Sequence, residues 1–368
     1  MKKSSFVPVR HWLRLVIILA LGMSIQAACC GQSAVSADKP DSESTSTNDV
    51  QYPMQLTPEG EAIAQQLSEE LPPGSEARAM FDAIMQGQRL NPRAGWFALS
   101  TSQTKYTWKQ TLAAYDKNVD GKVEPAELPA ANERFAAVDR NGDGALTEID
   151  FDWKTPAPVP GAKKTKSEFV SNLSRDLLIK GLKNQEIGSL QAGPHVGDVA
   201  EDFQLNSIEG DKKNSLHELI GKQPVVLVFG NYTCAPFRRE SADVKELYDR
   251  YKDQAQFAMV YVREAHPSDG WRMDQGSDKI SLPQPRSDSE RIEVAKQCKD
   301  HIKFDMPFLV DTIDDRVGAK YSGMPSRLYL IDQSGRIVYK SARGPFGFKP
   351  AELEQALVLN LAESALKK

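Results

Sequence analysis

The chain has 368 residues, long enough for about two domains with cores of their own. Its formal charge is only -4, so it lacks the basic surface that general nucleic-acid binding needs. Of its 4 cysteines, Cys29 and Cys30 sit near the N-terminus, and the remaining two are too few to staple a scaffold.

Residues 1–37 read as an export signal. Lys2, Lys3, Arg10 and Arg14 precede an apolar run, Leu15 to Ile25, that is too short to span a bilayer comfortably. Cleavage after Ala37 is one expectation. Acylation of Cys29 is the weaker one, because Gln26 stands where a lipobox carries leucine. The protein is thus expected to be exported (periplasmic, in the cell envelope or secreted) and to meet a membrane only if lipidated at Cys29. Residues 38–52 bury too little apolar surface to order themselves and read as a tether. Helical periodicity follows in "PEGEAIAQQLSEEL" and "SEARAMFDAIMQG".

Two loops then match the EF-hand pattern. In "DKNVDGKVEPAE", Asp116, Asn118 and Asp120 hold positions 1, 3 and 5, Gly121 makes the sharp turn, Lys122 offers its carbonyl at 7, Glu124 stands at 9 and Glu127 returns at 12. In "DRNGDGALTEID" the same places hold Asp139, Asn141, Asp143, Ala145, Thr147 and Asp150. Alternate oxygens converge on a hard cation. Asp150 is one methylene shorter than glutamate, so the second loop should bind calcium more weakly or lean toward magnesium. Val123 and Leu146 are placed to join the loops back to back. This predicts a small all-α EF-hand domain over 53–154. A linker over 155–190 follows, with a Pro-rich stretch, Lys154 to Lys166, and a connecting helix near Ser167 to Leu182.

From 191 to 368 strands alternate with helices: "DFQLNS", "PVVLVFG", a helix over "RRESADVKELYDRYK", "FAMVYVRE", a helix over "DSERIEVAKQCKD", "PFLVDT", a hairpin in "SRLYLIDQSGRIVYKS" and a closing helix from Pro350. The order fits an α/β fold with a mixed sheet. Cys234 lies where an apolar strand meets a helix start. Backbone N–H groups there, with Arg238 and Arg239 a turn later, are expected to favour its thiolate. Pro236 suits the first helical turn. Phe237 occupies the place of a second cysteine, so oxidised Cys234 needs an external thiol or Cys298 to resolve it. Cys298 reads equally well as a small core residue.

The blocks "VVLVFGNYTCAPF", "VYVREAHPSDGW", "MPSRLYLID" and "GRIVYKSARGP" resemble the iodothyronine deiodinases, selenoenzymes on a thioredoxin fold, over about Pro194 to Leu366. The stretch "GPHVGDVAEDFQLNSIEG" is similar to the entry hairpin of peroxiredoxins. The resemblance implies a thioredoxin-like domain with helices on both faces of a mixed sheet. It puts Cys234 at the selenocysteine position, with Thr233 before it, Glu264 and His266 reaching the site, Arg327 placed to take a carboxylate in a fork, and Pro325 cis. Two departures stand out: sulfur replaces selenium, and Pro285 stands where the family has a histidine. His266 suits a proton donor, and Glu264 could fix its tautomer or bind an amine.

The expected function is that of an exported, calcium-binding thiol oxidoreductase of deiodinase type, with Cys234 as nucleophile and an external thiol as reductant. Its small-molecule substrate would be a halogenated aromatic. A peroxiredoxin-like thiol peroxidase, with a peroxide as substrate, is the enzyme alternative, although Thr233 is adjacent to Cys234 rather than three residues before it. A calcium-stabilised binding module is the non-enzyme alternative.

Overall fold

The computed structural model describes residues 56–87, 101–129, 134–153, 174–210, 213–270, 280–344 and 347–367. The expected export signal, Cys29, the tether and the Pro-rich stretch to Lys166 lie outside these residues. All described residues fall within one unit, Val50–Lys368.

In chain order the described elements are helices α1 (Pro58–Glu70) and α2 (Glu76–Met85), strand β1 (Gln103–Thr104), helices α3 (Trp108–Tyr115), α4 (Phe135–Val138), α5 (Glu148–Phe151) and α6 (Arg175–Lys183), strands β2 (Gln204–Ser207) and β3 (Lys213–Ser215), helix α7 (Leu216–Leu219), strand β4 (Val225–Gly230), helix α8 (Ala235–Tyr251), strand β5 (Gln256–Tyr261), helix α9 (Asp288–Ile302), strand β6 (Phe308–Val310), helix α10 (Arg316–Lys320), hairpin strands β7 (Arg327–Ile331) and β8 (Ile337–Lys340), and helix α11 (Pro350–Leu366).

The strands form one sheet in the order β1-β8-β7-β4-β5-β6-β2-β3. β4 runs parallel to β5 and antiparallel to β7, so the sheet is mixed. Every residue of β4 is buried, as its unbroken apolar run requires of a strand covered on both faces. Its side chains alternate between two cores. Val226 and Val228 join Phe237, Val244 and Leu247 of α8 and Leu353 and Leu357 of α11. Val225, Leu227 and Phe229 face Leu216, Val317 and Tyr321 on the other side. A parallel pair, a helix springing from its first strand and an antiparallel hairpin beyond make the arrangement thioredoxin-like.

The two acidic loops are tight turns closed by their own carboxylates. Asp116 accepts from Gly121 N at 3.0 Å and Asp139 from Gly144 N at 2.8 Å. Gly121 and Gly144 have φ +85° and +87°, backbone that a side chain rarely adopts. Val123 and Leu146 exchange backbone hydrogen bonds of 3.1 and 2.8 Å, joining the loops back to back. Glu127 bridges the N–H groups of Lys117 and Glu124 at 2.9 and 3.0 Å, and Asp150 those of Arg140 and Thr147 at 2.8 Å each. Among the described residues, no three His, Cys, Asp or Glu side chains converge as an ion would need. The carboxylates are turned toward loop amides instead.

The loop segment packs directly against the sheet. Tyr115, Val123, Phe135, Val138 and Leu146 belong to the same apolar cluster as β4 and α8. Gln355 of α11 donates to Asp150 O at 2.9 Å and accepts from Trp153 Nε1 at 2.8 Å. β1 extends the sheet beside β8. The short helices of the hands cannot enclose a core alone, so they borrow the face of α11. The two leading helices, expected in the same domain, pack elsewhere: Leu67, Met80, Phe81 and Ile84 of α1 and α2 cluster with Ile179 and Leu182 of α6. A shared core predicts one cooperative melting transition for hands and sheet, checked by calorimetry. Two transitions would separate them again.

Candidate active site

β4 ends at Gly230, where a Cβ would lie 2.5 Å from the Phe237 ring, so only glycine fits. The chain then turns through Asn231, Tyr232 and Thr233 to Cys234, the N-cap of α8, with Pro236 in the first helical turn. Asn231 is fully buried and holds the turn together. Its Oδ1 accepts from Cys234 N and Ala265 N, both at 3.1 Å, and its Nδ2 donates to Pro325 O at 2.9 Å. The Met324–Pro325 bond is cis.

Glu264 lies behind this turn, buried to 1% exposure. Thr233 donates to its Oε2 from both N and Oγ1 at 2.8 Å, and Tyr261 OH donates to its Oε1. Burial raises the carboxyl's pKa, against the lowering effect of these donors and of Arg291. His266 is half-buried, and its N–H donates to Thr233 Oγ1 at 3.0 Å. Gln284 receives Glu264 N at 2.9 Å and donates back to Glu264 O at 3.1 Å. The structure thus brings Cys234, Thr233, Glu264 and His266 into one hydrogen-bonded frame and adds Asn231, Tyr261 and Gln284, which sequence reasoning missed. A polar residue straight after a wholly apolar strand was the one available signal, at Asn231. Pro285 is buried beside Gln284.

Cys234 is only 1% exposed, and burial pushes its thiol up from the usual 9.0 to about 11. The Phe237 N–H, the charge of Arg238 and the Ser326 hydroxyl do favour thiolate, but desolvation outweighs them. Arg238 is itself spent on Tyr232 O, and Arg239 is exposed. Ser326 Oγ is buried beside the Cys234 thiol, placed to donate to a thiolate. Arg327 is fully buried, and its fork holds Glu76, with Nη2 2.6 Å from Oε2. Cys298 is a free, fully buried thiol in the same apolar cluster as Cys234. Burial and then Glu264 push its pKa well up, which fits a core residue.

A cleft of ≈ 320 Å³ opens beside the start of α8, lined by Pro236, Arg239, Asp243, Trp153, Phe348 and Lys349. No helix among the described residues is long and apolar enough to cross a membrane.

Comparison with known proteins gives results of unequal weight. Among solved structures, peroxidoxin BcpB from Mycobacterium tuberculosis matches 46% of this chain and 96% of its own at 15% identity, with a TM-score of 0.32. The fold therefore rests on the topology above. Thyroxine 5-deiodinase of Gallus gallus is 32% identical over 189 residues, 50% of this chain and 71% of the relative. Type I iodothyronine deiodinase of Xenopus laevis is 31% identical over 158 residues, 43% of this chain and 61% of the relative. Residues 163–360 match the iodothyronine deiodinase family, a span that runs from α6 into α11 and takes in Asn231, Cys234, Glu264, His266 and the cis Met324–Pro325 bond. This chain belongs to the iodothyronine deiodinase family.

Proposed function

We propose that the protein is a thiol-dependent reductive dehalogenase acting on iodinated aromatic rings, with Cys234 in place of selenocysteine. The observation that carries this reading is Cys234 at the helix start, tied through Asn231 and Thr233 to buried Glu264. The Cys234 thiolate takes iodine from a ring carbon as a sulfenyl iodide, and the carbon takes a proton. One external thiol displaces iodide to give a mixed disulfide, and a second frees Cys234 as a disulfide of the reductant forms. His266, in the frame through its backbone N–H, is the proton donor. Iodide release from an iodinated phenol should be lost in Cys234→Ser and fall about 10²-fold in His266→Ala. Wild-type protein that releases no iodide would refute the reading.

One observation favours thiol peroxidase as a second reading. A cysteine only 1% exposed admits a peroxide more readily than an iodinated ring. Rapid peroxide consumption through Cys234, without iodide release, would install it.

The hands bind calcium in this proposal, the first through Asp116, Asn118, Asp120, the Lys122 carbonyl, Glu124 and Glu127, and the second more weakly or with magnesium. The paired loops and positive-φ glycines support it. Binding requires Asp116 and Asp120 to exchange loop amides for the ion. Glu127→Gln should weaken calcium binding at least about ten-fold and Asp150→Asn less, measured by calorimetry on the full chain. Export is proposed on the N-terminal signal alone.

A further inference from the structure

Residues 263–266, just past β5, lie outside any helix or strand. Their N–H groups are removed from water and still need acceptors, and four side chains supply them. Arg263 N donates to Asp315 Oδ1 at 3.1 Å and Glu264 N to Gln284 Oε1 at 2.9 Å. Ala265 N donates to Asn231 Oδ1 at 3.1 Å and His266 N to Thr233 Oγ1 at 3.0 Å. Asn231 and Thr233 belong to the cysteine turn, and Asp315 precedes α10. Gln284 comes from a separate segment and differs from the other three. It returns a bond to the very residue it holds, its Nε2 donating to Glu264 O at 3.1 Å. One side-chain amide thereby fixes both peptide planes that flank Glu264, and with them the direction in which the chain leaves toward His266.

Gln284 is itself anchored. Its N–H donates to Asp269 Oδ1 at 2.8 Å, and Ser268 N donates to Leu282 O at 2.8 Å, so 264–269 and 282–284 close on each other. The Gln284 N–H is the main influence holding the Asp269 carboxyl below the usual carboxylate range. Buried Pro285 next to it biases Gln284 toward extended backbone. The Glu264 carboxylate faces Thr233 and Tyr261, so it is the backbone of Glu264 that Gln284 controls. We propose that Gln284 is a positioning residue for His266, whose imidazole it aims by clamping the backbone two residues earlier. The inference rests on the reading of His266 as proton donor. Misplacing a reacting group by about 1 Å can cost about 10²-fold in rate, so a clamp at this point has a measurable effect.

The test uses the full chain. In Gln284→Ala, amide exchange at His266 should quicken at least about ten-fold, and kcat for iodide release from an iodinated phenol should fall about ten-fold with KM unchanged. Gln284→Glu gives the sharper result. Its ionised carboxylate accepts from Glu264 N but has no proton for Glu264 O, whereas the neutral acid restores both bonds. The ratio of Gln284→Glu to wild type, in exchange and in kcat, should approach one below about pH 5 and depart from one as the carboxyl ionises. A mere loss of packing would not follow pH. If Gln284→Ala does not fold, this ratio decides. If the wild-type chain releases no iodide, the dehalogenase reading fails and the exchange ratio alone decides on the clamp. Unchanged exchange at His266 in Gln284→Ala, or a Gln284→Glu ratio that ignores pH, would overturn the proposal. So would faster exchange with unchanged kcat in an active chain.

Discussion

Alkylation of Cys234 at pH 7 is expected to run about a hundred-fold slower than that of an ordinary thiol, from ionisation alone. The thiol's pKa stands near 11 instead of 9.0, and each unit removes a factor of ten from the thiolate fraction. The rate should climb about ten-fold per pH unit until near pH 11, read as labelled peptide against pH by mass spectrometry. A profile levelling off near neutrality would show that the helix start wins over burial. The same shift acts on stability. Between pH 9 and 11 the unfolded chain has lost this proton while the folded chain keeps it, so stability present below the window falls as pH rises through it. The full loss is about 2–3 kcal/mol. In the function proposed above, substrate or reductant would have to draw the thiolate out near neutral pH, with the Ser326 hydroxyl placed to donate to it.

Phe237→Ala should cost about 3–5 kcal/mol, among the largest single losses available in the chain. The ring is fully buried and meets Phe304 and Phe348 edge-on, with centroids 6.5 and 5.7 Å apart. Gly230 leaves the ring its space. Phe237→Cys would create a two-cysteine motif but lose most of the same packing. Denaturant midpoints should fall for both with an unchanged slope. A loss under about 1 kcal/mol for Phe237→Ala would show that the site collapses around the gap.

The sheet's centre was legible because β4 is an unbroken apolar run and α8 carries Val244, Leu247 and Tyr251 at helical spacing. β1 and β3, at 2 and 3 residues, are too short for alternation to show. The cysteine turn was legible, but the burial that opposes its ionisation was not. A helix start and nearby arginines give the sign of the local field, whereas desolvation depends on which distant side chains close over the sulfur. Arg327 was expected to await a carboxylate. That Glu76, from far earlier in the chain, supplies one is a fact of tertiary packing with no local trace. Tyr261 and Gln284 were missed for the same reason: each looks like an ordinary strand or loop residue until Glu264 is placed beside it.

β1 pairs Gln103 with Lys340 and Thr104 with Tyr339, and Lys105 N adds a bond of 2.8 Å to Val338 O. This two-residue strand shields β8, all four of whose residues are buried. A chain shortened to the family-matched part, 163–360, would lose it and bare a row of unpaired N–H and C=O groups beside apolar side chains. Such an edge invites another copy to add its own strand, so the shortened protein should self-associate and precipitate where the whole chain does not. The segment bearing the two acidic loops would thus also serve as a guard against aggregation, whether or not those loops bind an ion.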